Sequence, residues 1–419
     1  MNSSYCVVQT WATGLPGNEQ LFSDKALESV WNGTTQIKLI SDKETKNNIP
    51  KLASLMPEID LKTQYFIGDH IVKNIDYVSR YSIAAGLEVL KKEHINIYDN
   101  KQRLIGLPVE YRDRLGIISF SAYNPIHTIS EAASSEIDSS YIFKLSVQAS
   151  GHMSQILKSQ GPVTHINVAC ASTLYAIDMA ADWLKLNKCD QVLLIGSDYP
   201  SHESLFSYIG KGFAKAGIAS LSHDVNISAQ PFGKSRNGVI IGSGCIGILL
   251  KKENKLQSQN IQVVDTMIFS TGYHVSSLDN DTIKHKLQLF IYKNIKELNI
   301  TIEELSLGLL YFSHETSSLK CAETELESLR YVFGTSFSNI IICSTKGVTG
   351  HSMGVSLEDV ISFECLKQKR LPLVNTREID PSLGIFSLSK GELHSRTFVL
   401  RFSAGFGSFT GFSLYRYID

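Results

Sequence analysis

Short aliphatic runs alternate with amphipathic helical stretches twice along this chain, and that alternation restricts it to α/β layering. In the first half, His165-Ile166-Asn167-Val168-Ala169 reads as a strand. A helical pattern follows with Leu174, Ile177, Ala180, Ala181 and Leu184 on one stripe, and Val192-Leu193-Leu194-Ile195 is the next strand. The second half repeats the scheme. Leu309 to Phe312 reads as a strand, Glu323 to Val332 as a helix and Ile340 to Ile342 as a strand. A later helix covers roughly Val355 to Leu366, and Thr397 to Phe402 is a last strand. The polar stretch from Lys251 to Asn260 is the best seam, placing an N-terminal half at 1–253 and a C-terminal half at 254–419. The shared order predicts an internal structural duplication.

A chain of 419 residues with 43% apolar and 19% charged side chains can bury a large interior. Its 40 basic and 41 acidic residues nearly cancel, which removes the argument for wholesale nucleic-acid binding and leaves room only for a local basic patch. The longest nearly apolar stretch, Gly238 to Leu250, is too short to span a bilayer, and the first residues lack the pattern of a signal peptide. The seven cysteines form no Cys-x-x-Cys pair, so neither a zinc knuckle nor a redox dithiol is indicated. These features predict a cytoplasmic, reducing environment.

Three segments carry chemistry. Cys170, in Val168-Ala169-Cys170-Ala171-Ser172, falls between a strand and an amphipathic helix. Unpartnered N–H groups at a helix start favour a thiolate and can donate to an oxyanion. His314 follows the Leu309–Phe312 strand. His351 closes Lys346-Gly347-Val348-Thr349-Gly350-His351, beyond the Ile340–Ile342 strand. Both histidines therefore stand at the C-terminal ends of strands, where α/β folds place their sites. A metal held by Cys170 and the two histidines lacks a compact ligand cluster and a fourth ligand, so covalent catalysis is the better reading. The other six cysteines read as structural.

In combination these segments resemble the β-ketoacyl-acyl carrier protein synthases of the thiolase superfamily, the Cys-His-His elongating type above all. The resemblance rests on the nucleophile run from Gly161 to Ser172 and on Gln230-Pro231-Phe232-Gly233-Lys234-Ser235-Arg236-Asn237-Gly238. It rests further on His314-Glu315-Thr316-Ser317-Ser318, on Lys346 to His351, and on Gly405-Phe406-Gly407. It runs from about Ile75 to the C-terminus. It implies a five-layered αβαβα thiolase-like fold of two similar halves. It also implies a dimer, either of identical chains or with a related subunit, and no resident metal or cofactor, since phosphopantetheine arrives on the acyl carrier protein.

The same resemblance implies the roles. Cys170 takes the acyl group. His314 and His351 donate to the thioester oxygen of a malonyl-type extender during decarboxylation. Lys346, paired with Glu325, orients the histidine. Thr316 and Ser318 hold the pantetheine arm, and Phe406 is the gatekeeper whose N–H completes an oxyanion hole with that of Cys170. Lys91, Lys92, Lys251, Lys252 and Lys255 are available for a carrier-docking patch.

Several positions depart from the family pattern. Glu315 replaces a glycine and puts a negative charge beside a catalytic group, Ala322 replaces an acidic residue, and Gly407-Ser408-Phe409-Thr410 replaces Gly-Gly-Thr-Asn, with Phe409 placed to narrow or redirect the acyl pocket. These changes favour a specialised polyketide or fatty-acid pathway. Two alternatives stay open: a non-decarboxylating thioester-dependent acyltransferase, and a partner subunit like a chain-length factor.

Overall fold

The computed structural model describes residues 4–17, 19–40, 50–123 and 148–419. In chain order its strands are β1 (Tyr5–Gly14), β2 (Lys38–Leu39), β3 (Leu52–Ala53), β4 (Leu115–Phe120), β5 (Val163–Ile166), β6 (Gln191–Asp198) and β7 (Gly244–Glu253). Then come β8 (Ile261–Ser270), β9 (Leu309–Phe312), β10 (Ile341–Cys343), β11 (Ser387–Leu388), β12 (Phe398–Gly405) and β13 (Phe409–Tyr417). Strands β2 and β3 pair apart from the rest. The others join one sheet in the order β11-β10-β9-β12-β13-β8-β1-β7-β6-β4-β5.

That order contains the same motif twice. In the first half β5, β4 and β6 run parallel, and β7 and β1 follow antiparallel. In the second half β10, β9 and β12 run parallel, and β13 and β8 follow antiparallel. Strand for strand, β1, β4, β5, β6 and β7 therefore correspond to β8, β9, β10, β12 and β13. The two sets meet where β1 pairs with β8.

The parallel strands read as unbroken apolar runs because both of their faces are covered; β6 is buried along nearly its whole length. The helices Ser172–Lys185 and Leu357–Gln368 pack between the two strand sets, each touching strands of both. They form the middle layer, around a core that includes Ile177, Leu184, Val360 and Phe363. Outside the first set lie Tyr77–Lys92 and Gln148–Leu157, over a core with Tyr81 and Leu193. Outside the second lie Asn280–Leu298 and Leu319–Phe333, over a core with Phe290 and Leu326. This is the thiolase-like layering expected from the sequence.

Boundaries differ at two informative places. The run His165–Ala169 is strand only to Ile166; Asn167, Val168 and Ala169 form the turn that presents Cys170, with Ala169 at φ +50°. The polar seam at 251–260 begins inside a strand, since Lys251 to Glu253 complete β7 against Val7, Cys6 and Tyr5.

Candidate active site

The duplication decides where the chemistry gathers. Cys170 follows β5, and the Lys346–His351 segment follows β10, its counterpart in the second half; His314 follows β9. A turn through a left-handed alanine is strained for a residue with a Cβ. Here it swings Cys170 to the start of the Ser172–Lys185 helix, where Ser172 Oγ ties the turn by donating to the Ala169 carbonyl and accepting from the Val168 N–H.

The three side chains meet in one buried pocket. His351 Nε2 is 3.2 Å from Cys170 Sγ. The rings of His314 and His351 stand edge to face with centroids 5.4 Å apart. A cavity of about 130 Å³ opens onto Cys170, His314 and His351, and Thr316, Ser318 and Phe406 are also on its wall. The Phe406 ring packs edge-on to Phe213, with centroids 5.9 Å apart.

Burial sets the protonation of this pocket. Desolvation pushes the Cys170 thiol up to about 12, with Lys346 acting in the opposite direction. The helix start does not by itself deliver the thiolate that its donors promised. Desolvation also pulls His351 down to about 3, helped by the Lys346 charge, and holds His314 well below the ordinary imidazole range. Both imidazoles are therefore neutral, each with one N–H to donate and one lone pair to accept.

Lys346 does not pair with Glu325. Its Nζ is 2.6 Å from Glu358, with both side chains buried. Burial works against the Glu358 charge, but Lys346 and Arg401 outweigh it and hold the carboxyl at about 2. Glu325 instead caps the His314 segment from behind. It accepts the Tyr311 hydroxyl at 2.6 Å, the His314 backbone N–H at 3.0 Å and the Cys321 thiol at 3.2 Å.

Other expectations are relocated. Glu315 is absent from the cavity wall; its side chain is wholly buried, and no side chain among the described residues hydrogen-bonds its carboxylate. Glu315, Cys321 and Glu325 bring ligand-type atoms within 4.8 Å of one another, a set that differs from Cys170 and the two histidines. Cys321, read as structural, lines the cavity. Phe409 does not line it and packs edge-on to Tyr175, with centroids 6.0 Å apart. Lys251 and Lys252 stand at the C-terminal end of β7. That strand runs antiparallel to β6, so they are at the end of the sheet remote from Cys170.

Three groups that sequence reasoning missed organise the pocket. Asp198, at the end of β6, accepts the Ser121 hydroxyl at 2.6 Å and the Gly354 N–H at 2.8 Å, fastening the chain beyond His351 to the exit of β4. Glu358 and Arg401 are the others. A carboxylate seven residues past His351 and an arginine inside an apolar strand were the available signals. The segment around Arg236, singled out by resemblance, buttresses the His314 loop: Arg236 donates to the Leu319 carbonyl at 3.2 Å, and the Gly238 N–H donates to the Ser317 carbonyl at 2.8 Å.

Among the described residues no helix is long and apolar enough to cross a membrane. The chain is 22% identical over 407 residues to the 3-oxoacyl-[acyl-carrier-protein] synthase 2 of Vibrio cholerae, covering 93% of this chain and 95% of that one. It is 22% identical over 370 residues to the protein of the same name from Staphylococcus aureus, covering 81% and 83%. Its fold matches a β-ketoacyl synthase from Burkholderia phymatum at a TM-score of 0.81 and 17% identity, with both chains covered in full. The ishigamide ketosynthase/chain length factor also matches at 0.81 and 15% identity, over 99% of each chain. Residues 15–255, more than half of the chain, match the family described as "Beta-ketoacyl synthase, N-terminal domain", and the chain belongs to the β-ketoacyl synthase family.

Proposed function

We propose that the protein is a β-ketoacyl synthase that joins an acyl group held on Cys170 to a malonyl-type extender presented by an acyl carrier protein. The observation that carries this reading is a buried thiol 3.2 Å from one neutral imidazole, with a second neutral imidazole beside the first. In the first step the Cys170 sulfur attacks the carrier thioester, its proton passes by way of His351 to the departing pantetheine thiol, and acyl-Cys170 forms. In the second step the bond between the malonyl carboxylate and its α-carbon breaks and carbon dioxide leaves. The electron pair then enters the thioester as an enolate, whose oxygen accepts from the His314 and His351 rings. Neutral donors suit this role because they stabilise charge that appears only in the transition state.

The enolate carbon then attacks the acyl-Cys170 carbonyl. The oxyanion accepts from the Cys170 and Phe406 N–H groups. Its collapse expels the Cys170 thiolate and leaves a β-ketoacyl thioester on the carrier. Thr316 and Ser318, on the cavity wall, are the hydroxyls for the pantetheine amides. The phosphopantetheine of the carrier then suffices, with no resident cofactor. The names of the curated relatives, which carry the acyl carrier protein, support the same partner. The placement of Glu315 behind His314, away from the cavity, takes away one motive for a non-decarboxylating transferase.

Incubation with acyl- and malonyl-carrier protein tests the proposal. The expected result is one carbon dioxide released per β-ketoacyl product, and none with Cys170→Ala. Stoichiometric acylation of Cys170 that never extends, whatever the extender, would overturn it.

A further inference from the structure

Arg401 is only 1% exposed and is among the bulkiest fully buried side chains. A buried guanidinium is costly unless its charge and its donors are met. It sits on β12 directly beside Phe312 of β9, the residue two before His314, and donates to the Phe312 carbonyl at 2.5 Å. Its other terminal nitrogen donates to Ser356 Oγ at 2.6 Å and stands 3.9 Å from Glu358. Its Nε faces Asp359 at 3.4 Å. Ser356 also donates to Glu358, and Glu358 is the partner of Lys346. The strand that leads to His314 and the helix start that follows His351 thus meet on one planar fork, which Lys346 joins through Glu358. Two residues along the same strand, Ser403 donates to the Cys170 carbonyl at 2.9 Å.

We propose that Arg401 is a positioning residue for the condensation: its guanidinium clamps the strand that leads to His314 to the Ser356–Glu358 stretch that follows His351, fixing the distance between the two imidazoles and holding Glu358 opposite Lys346. The proposal rests on the condensation reading above. A fork is required for this geometry. One terminal nitrogen reaches the strand carbonyl while the other reaches the serine and the carboxylate, and a lysine, with a single nitrogen, cannot span both. Acylation of Cys170 uses the contact between His351 and the sulfur. Decarboxylation needs both rings at one oxygen, so it depends more steeply on the clamp.

The test compares wild type, Arg401→Ala and Arg401→Lys, with every rate expressed per Cys170 that an acyl-mimetic electrophile labels, so that misfolded protein does not count. In Arg401→Ala, kcat for malonyl decarboxylation falls by about a hundredfold, KM for the malonyl carrier changes by less than about threefold, and Cys170 acylation slows by less than about tenfold. Millimolar methylguanidinium restores at least about tenfold of the lost decarboxylation in this variant and nothing in wild type. Arg401→Lys loses about tenfold and carries the test if the alanine variant does not fold. Unchanged decarboxylation in the folded variants overturns the proposal, and so does an equal loss in both half-reactions without rescue. If wild type acylates Cys170 but releases no carbon dioxide, the condensation reading fails instead. The clamp is then judged by thermal stability: methylguanidinium should raise the Tm of Arg401→Ala and leave that of wild type unchanged, and no rise would overturn it.

Discussion

His351 Nε2 and Cys170 Sγ stand 3.2 Å apart in a pocket where neither group carries charge at neutral pH. Desolvation of the thiol outweighs the pull of Lys346, so the resting pair is thiol and imidazole, with no preformed thiolate–imidazolium couple. Alkylation of Cys170 by iodoacetamide should therefore rise about tenfold per pH unit from about pH 6 to about pH 9, with no plateau. Lys346→Met should slow it at every pH, because that lysine is the charge that favours the thiolate. A plateau near neutrality would show a preformed ion pair and sink this account.

The Lys346–Glu358 pair makes a second prediction. Removing one partner of a buried pair leaves the other charge uncompensated, so Lys346→Met should cost about 3–5 kcal/mol in denaturant unfolding near neutral pH. The Glu358 carboxyl falls from an ordinary 4.5 to about 2 in the folded protein. Its contribution is complete above the unfolded value and fades as the pH drops toward about 2. The stability gap between wild type and variant should accordingly be widest above about pH 5 and narrow on acidification. A gap that does not change with pH would assign Lys346 a packing role only.

The gathering of Cys170 with His314 and His351 was legible because each lies at a strand exit within a short motif, and the family resemblance joined the three. The duplication was legible as a repeated order of strands and helices. The partner of Lys346 was not. The family resemblance offered Glu325, eleven residues after His314, but β9 and the helix behind it turn that carboxylate toward Tyr311 and the His314 N–H. Glu358, which lies on the middle-layer helix Leu357–Gln368, reaches Lys346 only once that helix is wedged between the two strand sets. Arg401 was hidden more deeply still. Its strand neighbours are apolar, and nothing local reveals that a parallel partner strand offers it the Phe312 carbonyl.

Gly405 precedes Phe406 and lies against the turn that presents Cys170. A Cβ there would stand 2.7 Å from the Val168 carbonyl oxygen, 3.0 Å from the Cys170 nitrogen and 3.1 Å from the Ala171 nitrogen. All three are backbone atoms that cannot swing aside. Gly405→Ala should displace the Cys170 N–H and lower both acylation and condensation by about a hundredfold, while costing only about 1–3 kcal/mol of stability. Gly212→Ala, in a helix where the new methyl meets no atom of the described residues within 4 Å beyond the helix's own backbone, is the control and should raise stability by about 0.5–1 kcal/mol with activity unchanged. Equal activities in the two variants would remove Gly405 from the oxyanion account.

Glu315 makes the last prediction, and its sign runs opposite to that of Glu358. Burial first, and the nearby Glu325 second, push its carboxyl up to about 8 from an ordinary 4.5. The folded protein keeps this proton while the unfolded chain has already lost it, so wild-type stability falls as the pH rises through that interval and levels off above it. Glutamine has the shape of the protonated acid and no proton to lose. Glu315→Gln should match wild type to within about 1 kcal/mol at pH 5 and exceed it by about 3–5 kcal/mol at pH 9, as read from urea midpoints. Acylation of Cys170 should be unaffected, because the Glu315 side chain lies off the cavity wall. Stability profiles that stay parallel across this range would show that Glu315 is ionised in the fold and held by a partner other than a proton.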